Sequence, residues 1–206
     1  MKFSMILPIH NAEKHGYLFK ALRSIRAQSW KDYELICILD ACQDNSKQIV
    51  LDCKKGWPST GGMVIEEVDF HCAGFSRNRG LEMARGDWVL FADDDDWLLH
   101  EFVFAQLAAM AGVNDEDILA CSFIWRGVGY FAPSQSNFNP AVWNKAWRRE
   151  FIGETRFSNR KYGDDADFTN AMLAKGPRIA FWDMPIYYYN YLRGGSLTDR
   201  LQKGQL

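Results

Sequence analysis

The sequence predicts a single α/β domain built on a mostly parallel central sheet covered by helices on both faces. Short apolar runs of strand length alternate with amphipathic runs of helix length through the first half of the chain. Carboxylates follow directly on two of the apolar runs, at Asp40 and Asp93. In a parallel sheet those positions border the ligand crevice. The length, 206 residues, suits one large domain of this class.

Residues 3–9 (FSMILPI) form the first predicted strand. Residues 17–27 put Leu18, Ala21, Leu22 and Ile25 on one helical face. ELICIL at 34–39 reads as a second buried strand, closed by Asp40. A helix is expected over 45–55, with Ile49, Val50 and Cys53 on one side, and Gly56-Trp57-Pro58 ends it. Gly61-Gly62 opens a third strand at 63–68. A helix over 74–84 stops at Gly86, and a fourth strand over 88–92 runs into Asp93. The second half has a less regular texture: an apolar helix at 98–111, a hairpin from 118–125 and 127–131, and a polar loop at 133–140. Residues 142–151 and 165–175 read as helices, and 179–183 and 186–192 as closing strands. Without an internal repeat or a low-complexity linker, residues 1–97 and 98–206 are expected to form two halves of one domain.

Composition excludes several classes. Hydrophobic residues make up 48% and charged residues 24%, which rules out a disordered, collagen-like or coiled-coil chain. Basic residues (24) nearly balance acidic ones (26), so no nucleic-acid partner is expected through a large basic surface. No apolar run reaches the ~18 residues of a transmembrane helix, and the N-terminus lacks a signal-peptide pattern. Five cysteines without a CxxC pair read as mostly buried thiols in a reducing compartment. The expected location is cytoplasmic. Arg148-Arg149 beside Trp147 and Phe151 leave room for peripheral contact at the inner face of a membrane.

Four consecutive acids, Asp93, Asp94, Asp95 and Asp96, follow the fourth strand. Such runs are commonly solvated loops. At a crevice, however, four carboxylates repel one another unless a cation is present. Asp93 and Asp95 would share one side of an extended segment, and hard oxygen ligands suit Mg²⁺ or Mn²⁺ shared with a substrate phosphate. Asp40, at a strand end, is placed to accept a hydrogen bond from a base such as uracil, whereas Asp44 and Asn45 read as helix caps. Asp164 and Asp165 open a helix after Gly163. There they either offset the helix dipole or present an ionised general base, and spacing alone leaves both open. His10-Asn11 stands at the end of the first strand, where a ring can stack on a base, while His15, His71 and His100 read as surface or packing residues. Arg77, Asn78 and Arg79 form either a solvated helix face or a phosphate contact. Trp143 and Trp147 serve either as sugar platforms or as packing, and Tyr187–Tyr189 and Tyr191 read as packing.

In this order the segments resemble glycosyltransferase family 2, whose GT-A fold is a Rossmann-like domain. MILPIHNAEKHGYLFKALRSIRAQSWKDYELICILD is similar to the family's first strand, helix and second strand. SRNRGLEMARGDWVLFADDDDW resembles the approach to its DxD motif. WNKAWRREF and RFSNRKYGDDADFTNAML resemble its acceptor helix and catalytic segment, and IYYYNYLRGGSLT its usual ending. The resemblance implies an inverting, metal-dependent transfer from a nucleotide-diphosphate sugar, a UDP-sugar, to a glycan or lipid-linked saccharide, with Mn²⁺ or Mg²⁺ as cofactor. It implies that Asp40 reads the uracil, that Asp93 lies near the ribose, and that Asp95, with Asp93, holds the metal. Asp165, with Asp164 beside it, would be the general base. Pro8, His10, Asn11 and Arg193 would belong to the donor site, and Arg77 and Asp94 are expected to join them there from their place in the chain. Three departures stand out: a single acid in Leu39-Asp40-Ala41-Cys42, Asp164 in place of Glu, and no histidine after His100. A metal-dependent nucleotidyltransferase is the first alternative, but the basic, glycine-rich loop it would carry is here Leu7-Pro8-Ile9-His10-Asn11-Ala12. A non-catalytic glycan-binding or sugar-nucleotide-binding module is the second, and it would have no use for Gly163-Asp164-Asp165.

Overall fold

The computed structural model describes residues 3–191. Strands β1 (Phe3–Ile9), β2 (Tyr33–Asp40), β3 (Met63–Val68) and β4 (Trp88–Phe91) alternate with helices α1 (Tyr17–Arg26), α2 (Ser46–Lys54) and α3 (Ala73–Met83). The chain continues through β5 (Trp97–Leu98), α4 (Val103–Met110), β6 (Ile118–Trp125), β7 (Gly129–Phe131), β8 (Lys145–Arg148), α5 (Arg149–Ile152), α6 (Asp164–Leu173) and β9 (Ile179–Tyr189). One sheet runs through both halves in the order β3-β2-β1-β4-β8-β6-β9-β5, with β7 hydrogen-bonded to β6. β1 to β4 are mutually parallel, β8 is antiparallel to both β4 and β6, and β9 is parallel to β6. The ends of β1, β2, β4, β6 and β9 therefore share one side of the molecule.

The period of two along each buried strand sorts its side chains between two cores. Phe3, Met5, Leu7 and Ile9 of β1 join Leu35, Cys37 and Leu39 of β2 beneath α1 and α4, where Leu18, Leu22, Phe104 and Leu107 meet them. Ile6, Ile36, Ile38, Val89 and Phe91 face the other way, against Leu81 of α3 and Phe168 and Met172 of α6. Each such side chain contributes roughly 1.5–3 kcal/mol on burial. α3 can press on β1 because residue 80 is glycine: a Cβ there would lie 2.4 Å from the Ile6 side chain.

Two elements depart from the sequence-based expectation. The helix expected over 142–151 is instead strand β8 followed by the single turn α5. Val142, Trp143, Ala146 and Trp147 have helical spacing, but the segment is laid between β4 and β6 and buried from 142 to 147 without a break. Burial on both faces overrides the amphipathic pattern. The helix expected from residue 98 begins at Val103, because Trp97 and Leu98 pair with Tyr188 and Tyr187 of β9. Trp97 stacks on Tyr188 at 4.3 Å and 11°. The two closing strands are one, β9, whose register against β6 shifts around Ser122 before Pro185. Among the described residues no helix is long and apolar enough to cross a membrane. All five cysteines are free, with Cys37 and Cys121 buried and Cys42, Cys53 and Cys72 half-buried.

Candidate active site

The strand ends of β1, β2 and β4 are tied together by their own loops. His10, after β1, donates its backbone N–H to Asp94 Oδ2 (3.0 Å), after β4. Its Nδ1 lies 2.6 Å from the Asp40 carbonyl. That carbonyl only accepts, so Nδ1 carries the proton and Nε2 accepts from Asn11 Nδ2. Asn11 Oδ1 accepts the Gln43 N–H at 2.7 Å. Asn11, Ala41 and His71 all hold positive φ (48°, 49° and 50°), so left-handed backbone gathers at this rim. Such conformations are costly for residues other than glycine and cluster at functional crevices. The exposed rings of His10 and His71 meet edge to face at 5.9 Å. Pro8 is buried within β1.

Asp40 is engaged by its own chain. Its Oδ1 accepts the N–H groups of Phe70 (2.7 Å) and His71 (2.8 Å). Its Oδ2 accepts the Cys72 N–H (3.0 Å) and the Ser76 hydroxyl (2.9 Å). With only 3% of its surface exposed and both oxygens engaged, Asp40 pins the start of α3 to the end of β2. A carboxylate there also offsets the positive end of the helix.

α3 in turn aims Arg77. The Arg77 side chain is 6% exposed, with Nη2 2.8 Å from Asp93 Oδ1 and Nη1 2.7 Å from Asp164 Oδ2 and 3.1 Å from Asp165 Oδ1. The guanidinium thus faces three carboxylates from two separate segments. These acids hold it protonated against the cost of burial. α3 lies close against the segment before α6: a Cβ on Gly74 would be 2.5 Å from the Ser158 carbonyl. Asn78 and the Phe157 backbone exchange two hydrogen bonds at 3.0 and 2.8 Å.

Gly163, in left-handed backbone at φ 80°, turns the chain into α6, and the two acids that follow diverge. Asp164 is buried against Arg77, and burial raises its pKa while the guanidinium opposes the rise. Asp165 keeps 23% side-chain exposure, and its Oδ2 accepts the Val142 N–H at 3.2 Å. Burial pushes the Asp165 carboxyl up to about 6, with Arg77 opposing the rise and Asp93 and Asp164 adding to it. A carboxylate in that range is ionised at neutral pH and still basic enough to take a proton.

On the β4 side, carboxylate oxygens of Asp93, Asp95 and Asp96 lie within 4.8 Å of one another. Asp96, which sequence reasoning did not single out, is fully buried, and its Oδ2 has no hydrogen-bond partner. Burial, with Asp95 and Asp93 nearby, raises its pKa well above the carboxylate range. The end of β9 supports the turn: Tyr187 Oη accepts the Asp93 N–H (2.9 Å). Asn190 donates its N–H to Asp96 Oδ1 (2.7 Å) and its Nδ2–H to the Asp95 carbonyl (3.1 Å). The tyrosine ring packs as expected, stacked on Trp143 at 4.8 Å, and its hydroxyl also holds the acidic turn. Trp143 and Trp147 are buried, which leaves neither as an open sugar platform. Arg193 lies outside the described residues.

The sequence profile described as Glycosyl transferase family 2 matches residues 4–177. The "Uncharacterized glycosyltransferase YibD" of Escherichia coli K12 is 25% identical over 231 residues, covering 98% of this chain and 65% of that protein. The poly(ribitol-phosphate) β-N-acetylglucosaminyltransferase TarS of Staphylococcus aureus is 29% identical over 217 residues, covering 95% of this chain and 36% of its own length. The crystal structure of S. aureus TarS 1–349 in complex with UDP-GlcNAc overlays with a TM-score of 0.82 at 23% identity, across 97% of this chain and 61% of that one. The chain thus spans less than two thirds of the length of these relatives.

Proposed function

Since the chain belongs to glycosyltransferase family 2 and has the GT-A fold, we propose that it transfers a sugar from a UDP-sugar to a hydroxyl of a glycan or lipid-linked saccharide. The observation that carries this reading is a buried cation, Arg77, joining the acid turn after β4 to a part-exposed carboxylate of raised pKa, Asp165. The names of relatives support a sugar-nucleotide donor and a polyol-phosphate or glycan class of acceptor.

In this reading residues 1–97 bind the donor and 98–206 the acceptor. The His10-Asn11 loop and Asp94 form the wall against the nucleoside, with Pro8 setting the end of β1. Asp165 accepts the proton of the acceptor hydroxyl. The oxygen so activated bonds to the anomeric carbon, and the bond to the diphosphate breaks on the opposite side, its electron pair leaving with UDP. Both acids touch Arg77, Asp164 the more closely, and Asp165 keeps the greater exposure and is taken as the base. One displacement inverts the anomeric centre.

The acidic turn fits a divalent cation. Three hard oxygen donors converge, and the buried Oδ2 of Asp96 has no hydrogen-bond partner. Asp93, Asp95 and Asp96 would hold Mn²⁺ or Mg²⁺, which supplies Lewis-acid stabilisation of charge on a leaving diphosphate. The stereochemical claim is open to direct test. When an α-linked UDP-sugar is hydrolysed by the protein, ¹H NMR should show the β-anomer of the free sugar first. Initial release of the α-anomer contradicts single displacement.

A further inference from the structure

Beyond Arg77, a second buried cation stands behind the same base. Lys145, the first residue of β8, is fully buried. Its Nζ donates to the carbonyls of Asn139 and Ala141, each at 2.6 Å, and to Asn144 Oδ1 at 2.8 Å. An ammonium has three protons, and all three are placed. The Ala141 carbonyl belongs to the same peptide group as the Val142 N–H, which donates to Asp165 Oδ2. An unbroken chain therefore runs from the ammonium through one peptide unit to the carboxylate. Hydrogen bonds in series polarise one another, by ~10–30% per bond.

We propose that Lys145 is a positioning residue for the base, orienting and polarising the Ala141–Val142 peptide so that its N–H holds Asp165 ionised and in place. This rests on Asp165 being the base. The same segment is also held from α6, where the Thr169 hydroxyl donates to the Pro140 carbonyl at 2.7 Å, a contact that carries no charge. The charged groups around Asp165 are Arg77 from α3, Asp93 after β4, Asp164 from α6 and Lys145 from β8. Burial lowers the Lys145 ammonium to about 7, and Asp165 opposes the fall. The polarising charge is therefore present below that pH and lost above it.

The test is an NMR titration in EDTA, so that no cation at the acidic turn contributes, on wild type, Lys145→Met and Thr169→Val. The Asp165 carboxyl carbon should titrate about one unit higher in Lys145→Met, and the Val142 amide proton should move upfield. Thr169→Val, which loosens the segment without removing charge, should show neither change. An unmoved titration in Lys145→Met, or an equal shift in Thr169→Val, overturns the proposal. Should Lys145→Met fail to fold, wild type decides. Its Val142 amide must respond both to Asp165 and to the Lys145 ammonium as each titrates, and an amide blind to the second overturns the relay. These spectra require no turnover, so they decide for or against the relay even in a chain that transfers no sugar. With turnover in hand, Lys145→Met should lower kcat about tenfold with UDP affinity unchanged, the split expected when a base is misplaced.

Discussion

Asp165→Asn is expected to lower turnover with an acceptor by about 10²–10⁴-fold, the usual contribution of a general base, without lowering thermal stability. Replacing a buried polar side chain ordinarily destabilises, so the second half of this expectation is the discriminating one. Burial holds the Asp165 carboxyl at about 6 in the folded protein, against roughly 3.9 in an unfolded chain. A carboxyl raised by folding costs stability as it ionises. The penalty begins near pH 4, grows as pH rises, and is complete just above 6, where it amounts to at most about 3 kcal/mol. The amide has no charge to bury and escapes it. Catalysis runs the opposite way, because the base works only when ionised. The wild-type rate should therefore fall on acidification through about pH 6, a limb absent from the residual activity of Asp165→Asn. Turnover within twofold of wild type would remove Asp165 from the chemistry.

Arg77→Met carries the second large effect, and it falls on stability and activity together. Three carboxylates share this guanidinium, Asp93 at 2.8 Å, Asp164 at 2.7 Å and Asp165 at 3.1 Å. Removing one partner of a buried charge set typically costs about 3–5 kcal/mol, since the remaining charges stay buried and uncompensated. Protonating the acids relieves that repulsion. The melting-temperature gap between wild type and Arg77→Met should therefore be widest near pH 7 and narrow toward pH 5. Arg77→Lys should recover only part of it, because an ammonium lacks the planar fork that engages carboxylates from two segments at once. A gap independent of pH would show that the loss comes from packing against Phe157, whose ring lies 5.4 Å from the guanidinium.

These residues also mark what can be read from sequence. β1 to β4 are legible because their apolar runs are short, buried on both faces and separated by amphipathic helices; β3 matches its expected span of 63–68. The acidic turn is legible because four consecutive carboxylates repel one another unless their charge is offset. β8 is not legible: Val142, Trp143, Ala146 and Trp147 fit a helix until neighbouring strands bury both sides. The anchoring role of Asp40 is not legible, because its partners are mainly the backbone N–H groups of residues 70–72, which leave no mark in the sequence. Arg77 is visible only as one member of a basic cluster, since its partner Asp164 lies 87 residues away. Lys145 is hidden for a related reason. A lysine in an amphipathic pattern reads as exposed, and only the folding of 139–144 around its ammonium makes burial tolerable.

The central claim is that the acidic turn and the loops after β1 and β2 form a metal-dependent sugar-nucleotide site. The most direct measurement is calorimetric titration of UDP, with GDP and CDP beside it, in the presence and absence of Mn²⁺, on wild type and Asp95→Ala. UDP should bind in preference to the others, only with Mn²⁺, and should lose that binding in Asp95→Ala while the fold survives. Failure of every nucleotide to bind under every condition would contradict the assignment.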